Sequence, residues 1–407
     1  MKIIKFFSPR TKNLAKTFFI EITLVFFYCM FLLPLREVGS QSGDIYQKNV
    51  TDLEDFHLLS SDEGWILINQ QIYWTKTGGS CWKNISPPGM KQSKIRAVFF
   101  LDTQHGWIIL TNTDKDENVT YAIARTFDSG NTWLIKTLSL FELGDVNSFA
   151  EAVYLYFIDA DIGWLVIKQA TSSNFCVGTL FKTTDGGNTW TQLSIPIGEP
   201  VYFVTSELGW TAGGAAGDKF YRTVDGGKNW HPQKIVRPLL NNKIQRELYQ
   251  IPKFVNAREG VLPVVTNDGK TTEVEFYVTV DSGQSWSLKT HFPVEREISS
   301  RAIPLTVFDT KRWMMVVPNS NRLMRKSNGS EVMAEISQDP MTAGITELNM
   351  VTPNEGWAKY ASGSCAHVPR TSNTSPLPQA ATCTQETRLL KTNNGGMTWK
   401  VLKLPKN

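Results

Sequence analysis

The chain has 407 residues, 41% of them hydrophobic and 11% aromatic, which is ample for a large core. Its formal charge of +4 comes from the first 40 residues, which hold six of the 42 Lys and Arg but only two of the 38 Asp and Glu. The remainder is neutral, which argues against nucleic-acid binding, since that depends on excess positive charge. The histidines (His57, His105, His231, His291, His367) are scattered and no CxxC or HExxH spacing occurs, so neither a metal site nor a cofactor is expected.

In chain order, the N-terminus comes first and has the pattern of an export segment. Lys2, Lys5, Arg10, Lys12 and Lys16 precede an uninterrupted apolar run from Leu24 to Leu33. That length suits the apolar region of a signal peptide better than a full membrane span. Val38, Gly39 and Ser40 place small or tolerated residues before a cut after Ser40. The alternative is an uncleaved anchor over residues 18–35, which would then be the membrane contact. Cys29 follows the bulky Phe27 and Tyr28, so it does not sit in a lipidation motif. The expected organisation is a signal peptide or anchor at 1–40, a linker at 41–50 and a folded domain at 51–407. The expected location is outside the cytoplasm: secreted, periplasmic or anchored on the outer side of a membrane.

From residue 51 onward two short phrases alternate. One is a Gly-Trp step ahead of an apolar run, at Gly64-Trp65, Gly106-Trp107, Gly163-Trp164, Gly209-Trp210 and Gly356-Trp357, with weaker versions at Gly260-Val261 and Arg312-Trp313. The other is an eight-residue box: TKTGGSCW at 75–82, TFDSGNTW at 126–133, TTDGGNTW at 183–190, TVDGGKNW at 223–230, TVDSGQSW at 279–286, RKSNGSEV at 325–332 and TNNGGMTW at 392–399. The box has the chemistry of a tight turn. Gly130, Gly187, Gly227, Gly283 and Gly396 supply the positive φ that a hairpin needs. Asp128, Asp185, Asp225, Asp281 and Asn394 can accept hydrogen bonds from backbone N–H groups inside the turn. Trp133, Trp190, Trp230, Trp286 and Trp399 open the return strand with a large apolar face.

A short strand precedes each Gly-Trp step, so one unit is strand, turn, strand, loop, strand, box turn, strand. That is a four-stranded antiparallel meander, and seven of them predict an all-β, seven-bladed β-propeller. Blades bury their faces only against neighbours, so the 13 tryptophans are expected in the gaps between blades. The two recurring turns of each unit must share one face of the ring. The variable loops fall on the other: Thr111–Thr120, Thr137–Ala150, Pro232–Gln250, Lys289–Arg301 and Ala361–Thr387. A constant scaffold on one side with irregular loops on the other is the pattern of a binding surface.

The two phrases together resemble the Asp-box, or BNR, repeats of sialidase-superfamily propellers, and most closely the photosystem II stability/assembly factor family. The resemblance covers most of the chain after the leader. It implies a seven-bladed propeller in which the box aspartates are structural, with no metal and no catalytic residue among them, and a non-catalytic scaffold or assembly factor that grips a partner protein. The rival class is a glycan-binding propeller or a secreted glycosidase of the sialidase or xyloglucanase type. The Arg-Ile-Pro phrase of sialidases has only Arg301-Ala302-Ile303-Pro304 as a counterpart, late in the chain and with an inserted Ala. Among the loops, Pro232–Gln250 stands out. Lys234, Arg237, Lys243 and Arg246 face the single acid Glu247, interleaved with Ile235, Leu239, Leu240 and Leu248. These four cations are the candidate partner-binding residues, and the expected partner is a protein of the cell envelope, with a glycan as the alternative. Cys365 and Cys383 flank a Pro/Ser/Thr-rich loop and are expected to form a disulfide, leaving Cys81 and Cys176 free.

Overall fold

The computed structural model describes residues 53–405 apart from 91–92, 114, 116–118, 139–149, 170–174, 238–243, 295–302, 319, 329, 331–332, 338 and 367–381. The leader and linker lie outside the described residues, as do Lys243 and the loop between Cys365 and Cys383.

The strands form seven antiparallel sheets, each with its strands in sequence order. The blades span 53–84, 93–138, 150–193, 201–232, 246–294, 305–337 and 345–401. In blade 5 the first strand comes in two pieces, Arg246–Tyr249 and Lys253–Phe254, on either side of Pro252. Both pieces pair with the same second strand, Gly260–Asn267. A proline that cannot donate to the ladder marks such a break. The stretch read as one loop, 232–250, therefore ends in a strand.

First strands of neighbouring blades touch one another, so they line the centre of the ring, and short fourth strands such as Lys83–Asn84 form the exposed outer edge. Blade 7 meets blade 1 without sharing strands. Leu53 N donates to Thr387 Oγ1 at 2.8 Å, and Leu58 N donates to Asn349 Oδ1 at 2.8 Å.

Among the described residues the core is seven apolar clusters, and each draws on two adjacent blades. No blade buries its faces alone, which is the physical reason the repeat has to close. Trp107, Trp164, Trp210 and Trp357 are fully buried in these gaps, and Trp107 stacks on Phe157 of the next blade with centroids 3.9 Å apart. The box tryptophans Trp133, Trp190 and Trp230 sit nearer the outer edge and are only half-buried.

Blade 6 departs from the sequence reading by one residue. Trp313 pairs with Lys326, the register that Gly and the box Thr occupy elsewhere, while Met314 pairs with Arg325. Met314 thus stands where other blades have tryptophan, and the worn box begins at Lys326 rather than Arg325. A slip of one residue turns a side chain to the opposite face of a strand. Trp313 accordingly packs toward blade 5, whereas Met314 packs toward blade 7.

Candidate binding face and groove

The box turns show what occupies their polar groups. Asp185 Oδ1 accepts from Thr183 Oγ1 and from Thr189 N, both at 2.8 Å, and Oδ2 accepts from Thr189 Oγ1 at 2.6 Å. Thr183 Oγ1 in turn accepts from Gly187 N at 2.8 Å. Asp128, Asp225 and Asp281 repeat the arrangement. Asn394 does so with an amide, accepting from Thr398 N at 3.1 Å. In blade 1 the Thr77 hydroxyl stands in for the acid and accepts from Cys81 N at 2.9 Å. Burial pushes the Asp225 and Asp281 carboxyls up, but hydrogen bonds from Asn229 and Ser285 outweigh it and hold both at about 2. Every lone pair used in this way is turned inward on its own loop.

Both turns of a blade lie together. Gly186 N donates to Asp161 O at 2.8 Å, and Gly226 N donates to Glu207 O at 2.8 Å. At Gly187 the backbone has φ 89°, and a Cβ there would stand 2.7 Å from Ile123 Cδ1 of the preceding blade. Glycine therefore serves both the turn and the close approach of blades.

A fastening absent from the sequence reading ties the boxes of blades 1, 3, 5 and 7 to the blade before each. Arg125 Nη1 donates to Gly186 O at 3.0 Å, Arg222 Nε to Ser282 O at 3.2 Å, and Lys391 Nζ to Gly78 O at 3.1 Å across the closure of the ring. Arg325 does the same at Gly395 O, whereas Lys182 donates to Ser206 O, in the first-to-second-strand turn of blade 4 beside its box. Each of these cations stands immediately before the box Thr or its equivalent. Extending the eight-residue phrase by one position on its N-terminal side would have shown a cation in four of seven copies, and the corrected register of blade 6 adds Arg325 as a fifth.

On the opposite face, blades 4 and 5 enclose a groove of about 460 Å³. Phe220, Tyr221, Ile235 and Tyr249 give it an aromatic and aliphatic lining, and Lys234 is exposed at its rim. The four cations singled out in this region fare differently. Lys234 reaches the groove and makes no ion pair among the described residues. Arg246 is exposed on the first strand of blade 5. Arg237 is not available to a partner. It pairs with Glu247, and its Nε lies 3.1 Å from Oε2 of the buried Glu275 and 3.2 Å from the Tyr277 hydroxyl. Tyr249 Oη and Tyr277 Oη donate to the same two carboxylates at 2.7 Å each. Burial opposes the charge on Arg237, but Glu247 and Glu275 more than restore it and raise its pKa. The sequence placed Arg237 in a basic loop because Glu275, 38 positions away, is brought beside it only by the sheet of blade 5.

Cys81 and Cys176 are free thiols. Cys176 Sγ donates to Glu199 Oε1 at 3.1 Å, and burial followed by that carboxylate pushes the thiol up to about 11. Cys365 and Cys383 stand directly opposite one another in the ladder between Gly356–Ala366 and Thr382–Thr392. Their side chains lie outside the described residues. Among the described residues no group of His, Cys, Asp and Glu is arranged to hold a metal ion.

Seven sequential four-stranded blades around a common centre define a β-propeller. No protein-family model matches the chain, and no curated protein matches it. Solved structures similar to it include YCF48 bound to D1 peptide, 21% identical over 76% of this chain and 81% of that one, with a TM-score of 0.42. YCF48 from Cyanidioschyzon merolae is 15% identical over 75% and 90%, with a TM-score of 0.44. An ancestral GH74 enzyme is 11% identical over 86% of this chain and 54% of that one, with a TM-score of 0.45. At these identities the likeness concerns the fold.

Proposed function

We propose that the protein is a non-catalytic scaffold or assembly factor that binds a partner protein outside the cytoplasm, using the loop face at blades 4 and 5. The observation that carries this reading is the division between the two faces. The rim bearing the boxes spends its polar groups on fastening blades, whereas the opposite face holds a groove lined by Phe220, Tyr221, Ile235 and Tyr249 with Lys234 at its edge. Tyrosine-rich, partly apolar surfaces with a charged rim are typical of recognition sites between proteins. The two carboxylates beside the groove, Glu247 and Glu275, are both engaged by Arg237. A glycosidase needs two carboxylates free to reach its substrate, whereas these two are occupied by Arg237 and by the hydroxyls of Tyr249 and Tyr277. The repeated phrases and their likeness to assembly-factor propellers support the same reading, and the leader pattern at 1–40 supports export.

The test is co-purification of the full chain from envelope extracts, with Lys234→Glu as the variant, beside a panel of fluorogenic glycosides and a glycan array. The expected result is a protein recovered with the wild type and lost with Lys234→Glu, with no hydrolysis. Sustained glycoside turnover would overturn the reading, and glycan retention without turnover would replace the protein partner with a carbohydrate.

A further inference from the structure

The first strands carry one residue per blade at a common level, each paired with the second-strand position that tryptophan usually holds. Most of the polar members are committed to the backbone of the next blade. Tyr156 Oη donates to Phe203 O at 3.0 Å, and Tyr202 Oη to Phe254 O at 3.2 Å. Asn349 Oδ1 accepts from Leu58 N at 2.8 Å, and Thr306 Oγ1 from Met350 N at 3.4 Å.

Two members break the pattern. His57 of blade 1 pairs with Trp65, and Lys253 of blade 5 pairs with Val261. Neither side chain makes a hydrogen bond or ion pair with a described residue. Both are exposed, and both stand on first strands, which line the centre of the ring. Each stands just ahead of a first-to-second-strand turn, so the pair lies at the mouth of the channel on the face that carries the boxes. The Lys253 ammonium sits 5.4 Å from the centre of the Tyr202 ring, and Tyr202 lies 5.4 Å from Tyr156. One side of the mouth is therefore an aromatic wall.

From this geometry we infer that the channel mouth binds a small organic anion, its carboxylate or phosphate held by Lys253 and His57 and its body resting on Tyr156 and Tyr202. A cation with no counter-charge among the described residues favours an anionic ligand. A confined channel also concentrates its field on such a ligand. Two residues before His57 and Asn349, on the first strands of blades 1 and 7, stand Asp55 and Glu347. Glu347 is paired with Lys359 at 3.1 Å. The unpaired ammonium that would attract an anion is thus at the mouth, while the level below offers carboxyls rather than a second free cation. Burial and the neighbouring Glu347 push the Asp55 carboxyl up to about 7, in keeping with a crowded acidic level below the mouth.

The experiment is calorimetric titration of the full chain with inorganic phosphate and, separately, with benzoate. Variants are Lys253→Met, Lys253→Arg and, as a control in the distant groove, Lys234→Met. At least one anion is expected to bind at one site, with benzoate preferred if the aromatic wall takes part. Lys253→Met should weaken binding by about tenfold or more, Lys253→Arg should retain it, and Lys234→Met should leave it unchanged. Absence of saturable binding, or equal binding by Lys253→Met, overturns the inference. If Lys253→Met does not fold, the His57 ring resonances of the wild type give the same answer: they shift on adding the anion, or the site does not exist. The groove lysine is a separate residue on the other face, so failure here leaves the partner reading untouched.

Discussion

The indole Nε1 of Trp107 donates to the carbonyl oxygen of Gly186 at 3.0 Å, tying the second strand of one blade to the box turn of the next. Trp164 does the same to Gly226 at 3.1 Å. The indole of Trp210 is equally buried, but its Nε1 has no partner among the described residues, and the Ser282 carbonyl of the following box accepts from Arg222 alone. Trp164→Phe and Trp210→Phe therefore remove similar ring area but differ by one hydrogen bond. Trp164→Phe should be the more destabilising by about 1 kcal/mol in urea unfolding. Equal losses would mean that the indole bonds do not fasten the ring.

The buried pair of Arg237 and Glu275 gives a second contrast. The Glu275 side chain is only 2% exposed, so Arg237→Met leaves a carboxylate without its counter-charge inside blade 5. The expected cost is about 3–5 kcal/mol. Lys234→Glu, at an exposed site without an ion pair among the described residues, should change stability by less than about 0.5 kcal/mol. Thermal unfolding of both variants checks this, and it also separates loss of partner binding from loss of fold.

Acid sensitivity follows from the boxes. Asp225 and Asp281 are held at about 2 in the folded chain, against an ordinary carboxyl value near 4. A depressed folded pKa contributes stability that is fully present above the unfolded value and is lost as pH falls through the folded one. Stability should therefore decline between about pH 4 and pH 2. Asp225→Asn reproduces the chemistry that Asn394 already uses, and it should flatten part of that decline. An unchanged slope in unfolding experiments from pH 5 to pH 2 would contradict the assignment.

Much of this was legible in the residues and some was not, for physical reasons. Repetition of the Gly-Trp and box phrases fixed blade number and strand order, because each phrase encodes a local turn. Blade 6 misled by one residue, since Trp313 supplied an indole without the glycine that sets its register, and only cross-strand pairing shows Met314 in the equivalent place. The fate of Arg237 was hidden for a different reason. Its partner Glu275 lies in another strand, and a charge count over a continuous loop does not see it. The cations before most boxes were visible in principle, but they interact with the following blade and not with their own turn.

The opposition of Cys365 and Cys383 in the ladder carries a redox prediction. Directly opposed residues in antiparallel strands have Cα atoms about 4.5–5.5 Å apart, within the span of a disulfide. Peptide mapping without reductant should recover these two cysteines as one bridged pair, with Cys81 and Cys176 alkylated after unfolding. Breaking the bridge should lower stability by about 3 kcal/mol. Recovery of all four as free thiols from protein exported to an oxidising compartment would rule the bridge out.

The division of labour between the two faces is tested most directly by a photo-crosslinking residue placed at Gln233, beside the groove, or at the exposed Thr184 in the box of blade 3. Each is expressed in turn in the native host and illuminated in intact cells. Discrete protein adducts from position 233, reduced by Lys234→Glu and absent from position 184, are the predicted result. Adducts of equal yield from both positions, or from position 184 alone, would contradict the assignment of the loop face as the binding surface.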